Sequence, residues 1–158
     1  MLRTQLAVCL LLASAPRCAD LFSLAANGFS VPTLEAKGAA GTPDPGGMRV
    51  AIDFAATNPN KFPLTLDSVD YQVLVEGEQV FAGTQDGLTV SQKGAATVNV
   101  QGVVPLSAPV LKKLHAGDTA GYTLQGTVHV ETPAGVPADV EFATSGTFVV
   151  PGGIPAQR

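Results

Sequence analysis

Tryptophan is absent from this 158-residue chain, and it has only two cysteines and two histidines. Both cysteines, Cys9 and Cys18, lie in the first eighteen residues. The body of the chain therefore has no internal disulfide and no thiol chemistry, and with two histidines and no cysteine a structural zinc site is not expected. Charge is also scarce, at 14% of residues, and no basic cluster exceeds Lys112-Lys113. With a formal net charge of −4, such a chain lacks the basic stripe that nucleic acid requires. No apolar run is long enough to cross a bilayer as a helix.

Hydrophobic residues make up 46% of the chain, with 17 glycines and 12 prolines, so one ordinary domain with a substantial core fits this length. Short β-branched runs punctuated by Gly and Pro read as an all-β antiparallel sandwich of immunoglobulin/fibronectin-III-like kind. Residues 1–25 read as a leader. Arg3 supplies the positive start, and Leu6 to Ala15 form an apolar stretch of signal-peptide length. Two processing outcomes stay open there. Ala13-Ser14-Ala15 has the small-x-small form, but Pro16 follows it. Cys18 stands where a lipoprotein carries its acylated cysteine, but Arg17 precedes it. Cleavage near position 18, with loss of Arg3 and Arg17, leaves seven basic and thirteen acidic residues, a net charge of −6.

The single domain is expected over 29–152, with 153–158 as a tail. A first strand is expected over Phe29 to Ala36, at an edge because of Pro32. Gly38 to Gly47 (GAAGTPDPGG) reads as a flexible loop. Met48 to Ala56 is a strand with Val50, Ile52 and Phe54 inward and Ala51, Asp53 and Ala55 outward. Pro59 holds Asn58 extended, and both Asn58 and Asn60 can bond nearby backbone, so Thr57 to Leu64 is a fixed corner. Val69 to Glu76 follows as a strand with Tyr71, Val73 and Val75 on one face. Glu76-Gly77-Glu78 turns it into a return strand ending at Gly83, and Leu88 to Val90 is a separate short strand. Ala95 to Val103 presents Val98 and Val100 inward. A short helix is expected near 107–115, capped by Ser107 and closed at Gly117, with Leu106, Val110, Leu111 and Leu114 on one face. Tyr122 to Glu131 alternates most regularly, and Val140 to Val150 returns it with a bulge or break at Gly146.

Candidate chemistry is sparse. His129 falls on the polar face of its strand and reads as a solvated histidine; His115 falls at the helix end, where a cation suits the dipole. The pairs Asp67/Asp70 and Glu76/Glu78 flank turns or strand starts. Asp44-Pro45 and Asp86-Gly87 read as turn formers without the tandem oxygen ligands of a calcium loop. No catalytic, cofactor-binding or metal residue is assigned.

The ordered set NPNKFPLTLDSVDYQVLVEGEQVFAG, beginning at Asn58, resembles the central motif of the late-embryogenesis-abundant type 2 family, also called the water-stress and hypersensitive-response (WHy) domain. The likeness extends more loosely from Val31 to Pro151. The chain lacks the tryptophan some members carry early in the domain, and Gly38–Gly47 looks like an insertion. The resemblance implies a non-enzymatic protein that protects proteins or the envelope under water stress; with the leader, it is expected to be a bacterial exported member, periplasmic or envelope-associated. Asn58, Pro59 and Asn60 are then a fold-determining motif. Its partners would be client proteins or envelope components, with no nucleic acid, no cofactor and no membrane contact beyond a lipid at Cys18, and the protein would be a monomer. The other reading is an envelope-tethered binding module for a lipid, glycan or protein.

Overall fold

The computed structural model describes residues 28–132, 135 and 137–154. The leader and Cys18 lie outside them, as does the end of the expected tail.

Among the described residues, seven antiparallel strands form two sheets. β1 (Thr33–Asp44), β2 (Gly47–Thr57) and β5 (Ala95–Pro105) make a three-stranded sheet in the order β1-β2-β5. β3 (Leu64–Val75), β4 (Glu78–Val90), β6 (Thr119–Glu131) and β7 (Pro137–Val149) make a four-stranded sheet in the order β4-β3-β6-β7. The two layers enclose one core, the arrangement expected from the alternating strands.

The core follows the period-2 pattern. Val50, Ile52 and Phe54 of β2 are fully buried, facing Val73, Val75, Leu124 and Val128 of the other sheet's inner face. Burying each such side chain contributes about 1.5–3 kcal/mol before conformational entropy is subtracted. Phe54 stacks on Phe142 of β7 across the sandwich, with ring centroids 6.4 Å apart. Ala55, expected outward, is buried as well.

Four local expectations change. The Gly38–Gly47 segment is not a loop: β1 runs through it to Asp44 and pairs with β2 along its whole length, with a bulge between Ala36 and Gly38. Small residues and prolines are tolerated because β1 is an edge strand and β2 carries the apolar side chains. The hairpin then turns at Pro45-Gly46, where the Asp44 carboxylate accepts from the Gly46 N–H (2.9 Å) and from Arg49 Nη2 (2.8 Å). Second, β4 is one thirteen-residue strand, and Asp86-Gly87 lies within it rather than at a turn. Third, the short helix near 107–115 is a single 3-10 turn, Pro109–Lys112, preceded by Ala108 with no side-chain cap from Ser107. The chain has only Leu106 to Asp118 in which to cross from β5 to β6. It spends them on successive turns closed by Ala108 N–H to Pro105 O and Asp118 N–H to His115 O. Fourth, Gly146 does not break β7. The β6–β7 register is continuous there, and a Cβ on Gly146 would stand 2.7 Å from the Tyr122 hydroxyl, so the glycine makes room for that ring.

Candidate functional site

Asn58 is fully buried between two connections, β2 to β3 and β4 to β5. Its Nδ2 donates to the carbonyls of Phe62 (2.8 Å), Val90 (3.2 Å) and Ser91 (3.2 Å). Its Oδ1 accepts from Asn60 N–H and from Asn60 Nδ2, both at 2.9 Å. The backbone adds Asn58 N–H to Gly94 O and Lys93 N–H to Asn60 O, each 2.9 Å. Lys93 adopts a left-handed φ of 52° to make this approach, and its Nζ donates to Pro59 O. The 58–60 segment thus clips residues 90–94 through a network that is neutral in its buried part, with the Lys93 ammonium at its exposed rim. Among the described residues, no buried side-chain nitrogen or oxygen lacks a partner. The sequence showed the local Asn58–Asn60 turn; the clip to 90–94, some thirty residues on, carries no local signal.

His129 is not simply solvated. It lies on the outer face of the four-stranded sheet, one third exposed, between two carboxylates: Nδ1 is 2.8 Å from Asp139 Oδ1 and Nε2 is 3.1 Å from Asp70 Oδ2. Thr84 Oγ1 donates to Asp70 Oδ1 at 2.6 Å. These four residues come one from each strand of the sheet. A bulge in β3 places them. Leu66 pairs with Val130 and Ser68 with His129, so Asp67 is the extra residue; Leu66 and Val69 both face the core, and Asp70 faces out. Gly126 is needed beside it, because a Cβ there would meet the Asp70 carbonyl oxygen at 1.9 Å. The bond to Asp139, then that to Asp70, raises the His129 pKa above its ordinary 6.5. The Thr84 hydroxyl first, and His129 second, hold Asp70 below the usual carboxylate value. Asp67, the other member of the expected pair, is not part of this bridge.

At one end of the sandwich a cleft of about 470 Å³ is lined by Glu76, Glu78, Val110, Lys113, Leu114, Asp118 and Thr119. Glu76 and Gly77 both take positive φ, the geometry of a tight two-residue hairpin, and the Glu76 carboxylate accepts from the Gly121 N–H. His115 pairs with Asp118, whose carboxylate also accepts from the His115 N–H at 2.8 Å, rather than with a helix end. The lining mixes three carboxylates and one ammonium with two aliphatic side chains. Among the described residues, no group of three potential ligands converges as a metal site would, and no helix is long and apolar enough to cross a membrane.

Solved structures with the same architecture include one described as a late embryogenesis abundant protein in solution, 12% identical, covering 93% of this chain and 87% of that one with a TM-score of 0.65. A second solution structure, of an Arabidopsis thaliana protein, is 17% identical, covers 77% of this chain and 80% of that one, and gives a TM-score of 0.58. At such identities the likeness shows the fold. A search of curated proteins found no match. Residues 53–156, from the second half of β2 onward, match the family of late embryogenesis abundant proteins, and over this span, which includes the Asn58 corner, the chain belongs to that family (LEA type 2).

Proposed function

We propose that this chain is a non-enzymatic stress-protection protein, a water-stress (WHy) type member of its family, exported to the periplasm or envelope after loss of its leader. The observation that supports this reading is how the family motif is used. Every polar atom of the Asn58 side chain is bonded inside the fold, to Phe62, Val90, Ser91 and Asn60. The Asn58 side chain thus acts as a structural clip with nothing left to offer a ligand. Protection then comes from the folded exterior, an acidic polar surface that stays native while it separates partly unfolded clients, whose exposed apolar surface drives aggregation. Screening of this kind needs neither a pocket nor a catalytic residue. A monomer, with a lipid at Cys18 or free after cleavage near Ala15, serves equally well.

The second reading, an envelope-tethered binding module, has one observation in its favour: the cleft beside the Pro109–Lys112 turn. Its carboxylates and Lys113 make it a poor lipid pocket.

The test dries and freeze-thaws a labile enzyme beside the purified mature protein, with an unrelated β-sandwich of similar charge at equal mass as control. Greater recovered activity than with the control is expected. Equal recovery, together with capture of a specific envelope component by the tethered protein, would favour the binding module. Mass spectrometry of the mature N-terminus decides between cleavage near Ala15 and acylation of Cys18.

A further inference from the structure

The geometry points to a proton-dependent clamp on the outer face of the four-stranded sheet: doubly protonated His129 holds Asp70 of β3 and Asp139 of β7 together, and loss of one proton releases one of them. Ionised carboxylates only accept hydrogen bonds, so a ring nitrogen 2.8 Å from Asp139 and another 3.1 Å from Asp70 must both carry hydrogen. A neutral imidazole has one N–H, and one carboxylate would then face a lone pair. With Thr84 donating to Asp70, the chain of bonds runs from edge strand β4 through β3 and β6 to edge strand β7.

The surroundings make this proton matter. Strands β3, β4, β6 and β7 contain no lysine or arginine. Besides its two partners, the acids about His129 are Asp67 at the β3 bulge, Asp86 in the same cross-strand row on β4, Glu131 on β6 and Glu141 on β7. Its chain neighbours Val128 and Val130 are buried in the core and contribute no charge. His129 is the only basic side chain on these four strands, and its deprotonation leaves their outer face wholly acidic. The raised pKa follows from the same contacts. While Asp70 and Asp139 are ionised, the clamp is therefore closed below about pH 6.5, the ordinary histidine value, and opens as pH rises through the higher folded-state value.

The experiment follows the imidazole protons of the full-length protein by NMR across pH, with H129Q identifying the His129 signal, and repeats the titration in D139N and D70N. In parallel, amide exchange along β7 is measured for the wild type relative to H129Q, which cancels the intrinsic pH dependence of exchange. Expected are a His129 midpoint above 6.5 that falls in both Asn variants, and β7 amides that are protected in the wild type relative to H129Q at low pH, with the difference vanishing through the His129 midpoint. Asp70 and Asp139 are both exposed, and either variant alone suffices if the other fails to fold. A midpoint at or below 6.5 would overturn the clamp. So would a raised midpoint with β7 exchange identical in wild type and H129Q, which would leave only a surface ion pair.

Discussion

The Asn58 clip and the His129 bridge both tie together segments far apart in sequence, but in opposite physical regimes. At the heart of the clip the Asn58 side chain is neutral and fully buried, and its bond to the Val90 carbonyl is buried with it. The bridge is charged and partly exposed, and its carboxylates are solvated whether or not the imidazole is present. A buried donor lost leaves a buried acceptor unsatisfied at the full cost of desolvation, whereas an exposed ion pair lost is largely replaced by water. The clip should therefore set whether the chain folds, and the bridge should set how its stability and edge strand respond to pH.

The sharpest way to break that contrast is Asn58→Asp. It places a carboxylate oxygen where Nδ2 now meets three carbonyls, and a loss on the order of 4 kcal/mol is expected. A buried acid has a raised folded-state pKa, so the loss should deepen as pH rises. Denaturant midpoints at two pH values check both points. Next comes Leu124→Ala on β6, a fully buried side chain opposite Val73, expected to cost about 2–5 kcal/mol at every pH. It calibrates ordinary core loss, against which the pH dependence of Asn58→Asp stands out.

His129→Gln should be milder than either and confined in pH. The raised His129 pKa contributes stability fully below 6.5, lost as pH rises through the folded value. The lowered Asp70 pKa contributes stability above 3.8, lost as pH falls through its folded value. The gap between wild type and H129Q is thus widest between these limits and closes on both sides, which thermal midpoints from pH 3 to 9 would trace. Thr127→Ala, on the same outer face but outside the bridge, should change stability by less than about 0.5 kcal/mol. A cost for Thr127→Ala equal to that of Leu124→Ala would mean the faces of β6 are reversed.

The strands that could be read directly were those whose own side chains carry the alternation. Val50, Ile52 and Phe54 define β2, and Tyr122, Leu124, Val128 and Val130 define β6. The second part of β1, Gly38 to Asp44, escaped because its pairing is driven by its neighbour: a stretch of Gly, Ala and Pro has no pattern of its own, yet pairs residue for residue with β2. The expected break at Gly146 failed for a related reason, since a glycine that accommodates the Tyr122 ring and one that bends a strand look alike in sequence. For the site, the polar face of His129 was legible but its partners were not. They depend on the register of β3 against β6, which the extra residue at Asp67 resets, and no feature of Asp67-Ser68 announces a bulge.

If protection resides in the folded exterior, it should follow the clip and ignore the bridge. The decisive measurement is the activity a labile enzyme retains after drying beside equal masses of wild type, H129Q and N58D, with the folded fraction of each taken from circular dichroism in the same buffer. The expected result is equal protection by wild type and H129Q at neutral pH, and protection by N58D reduced in proportion to its folded fraction. Full protection by a largely unfolded N58D would contradict the account, because it would place the activity in the composition of the chain rather than in the sandwich it builds.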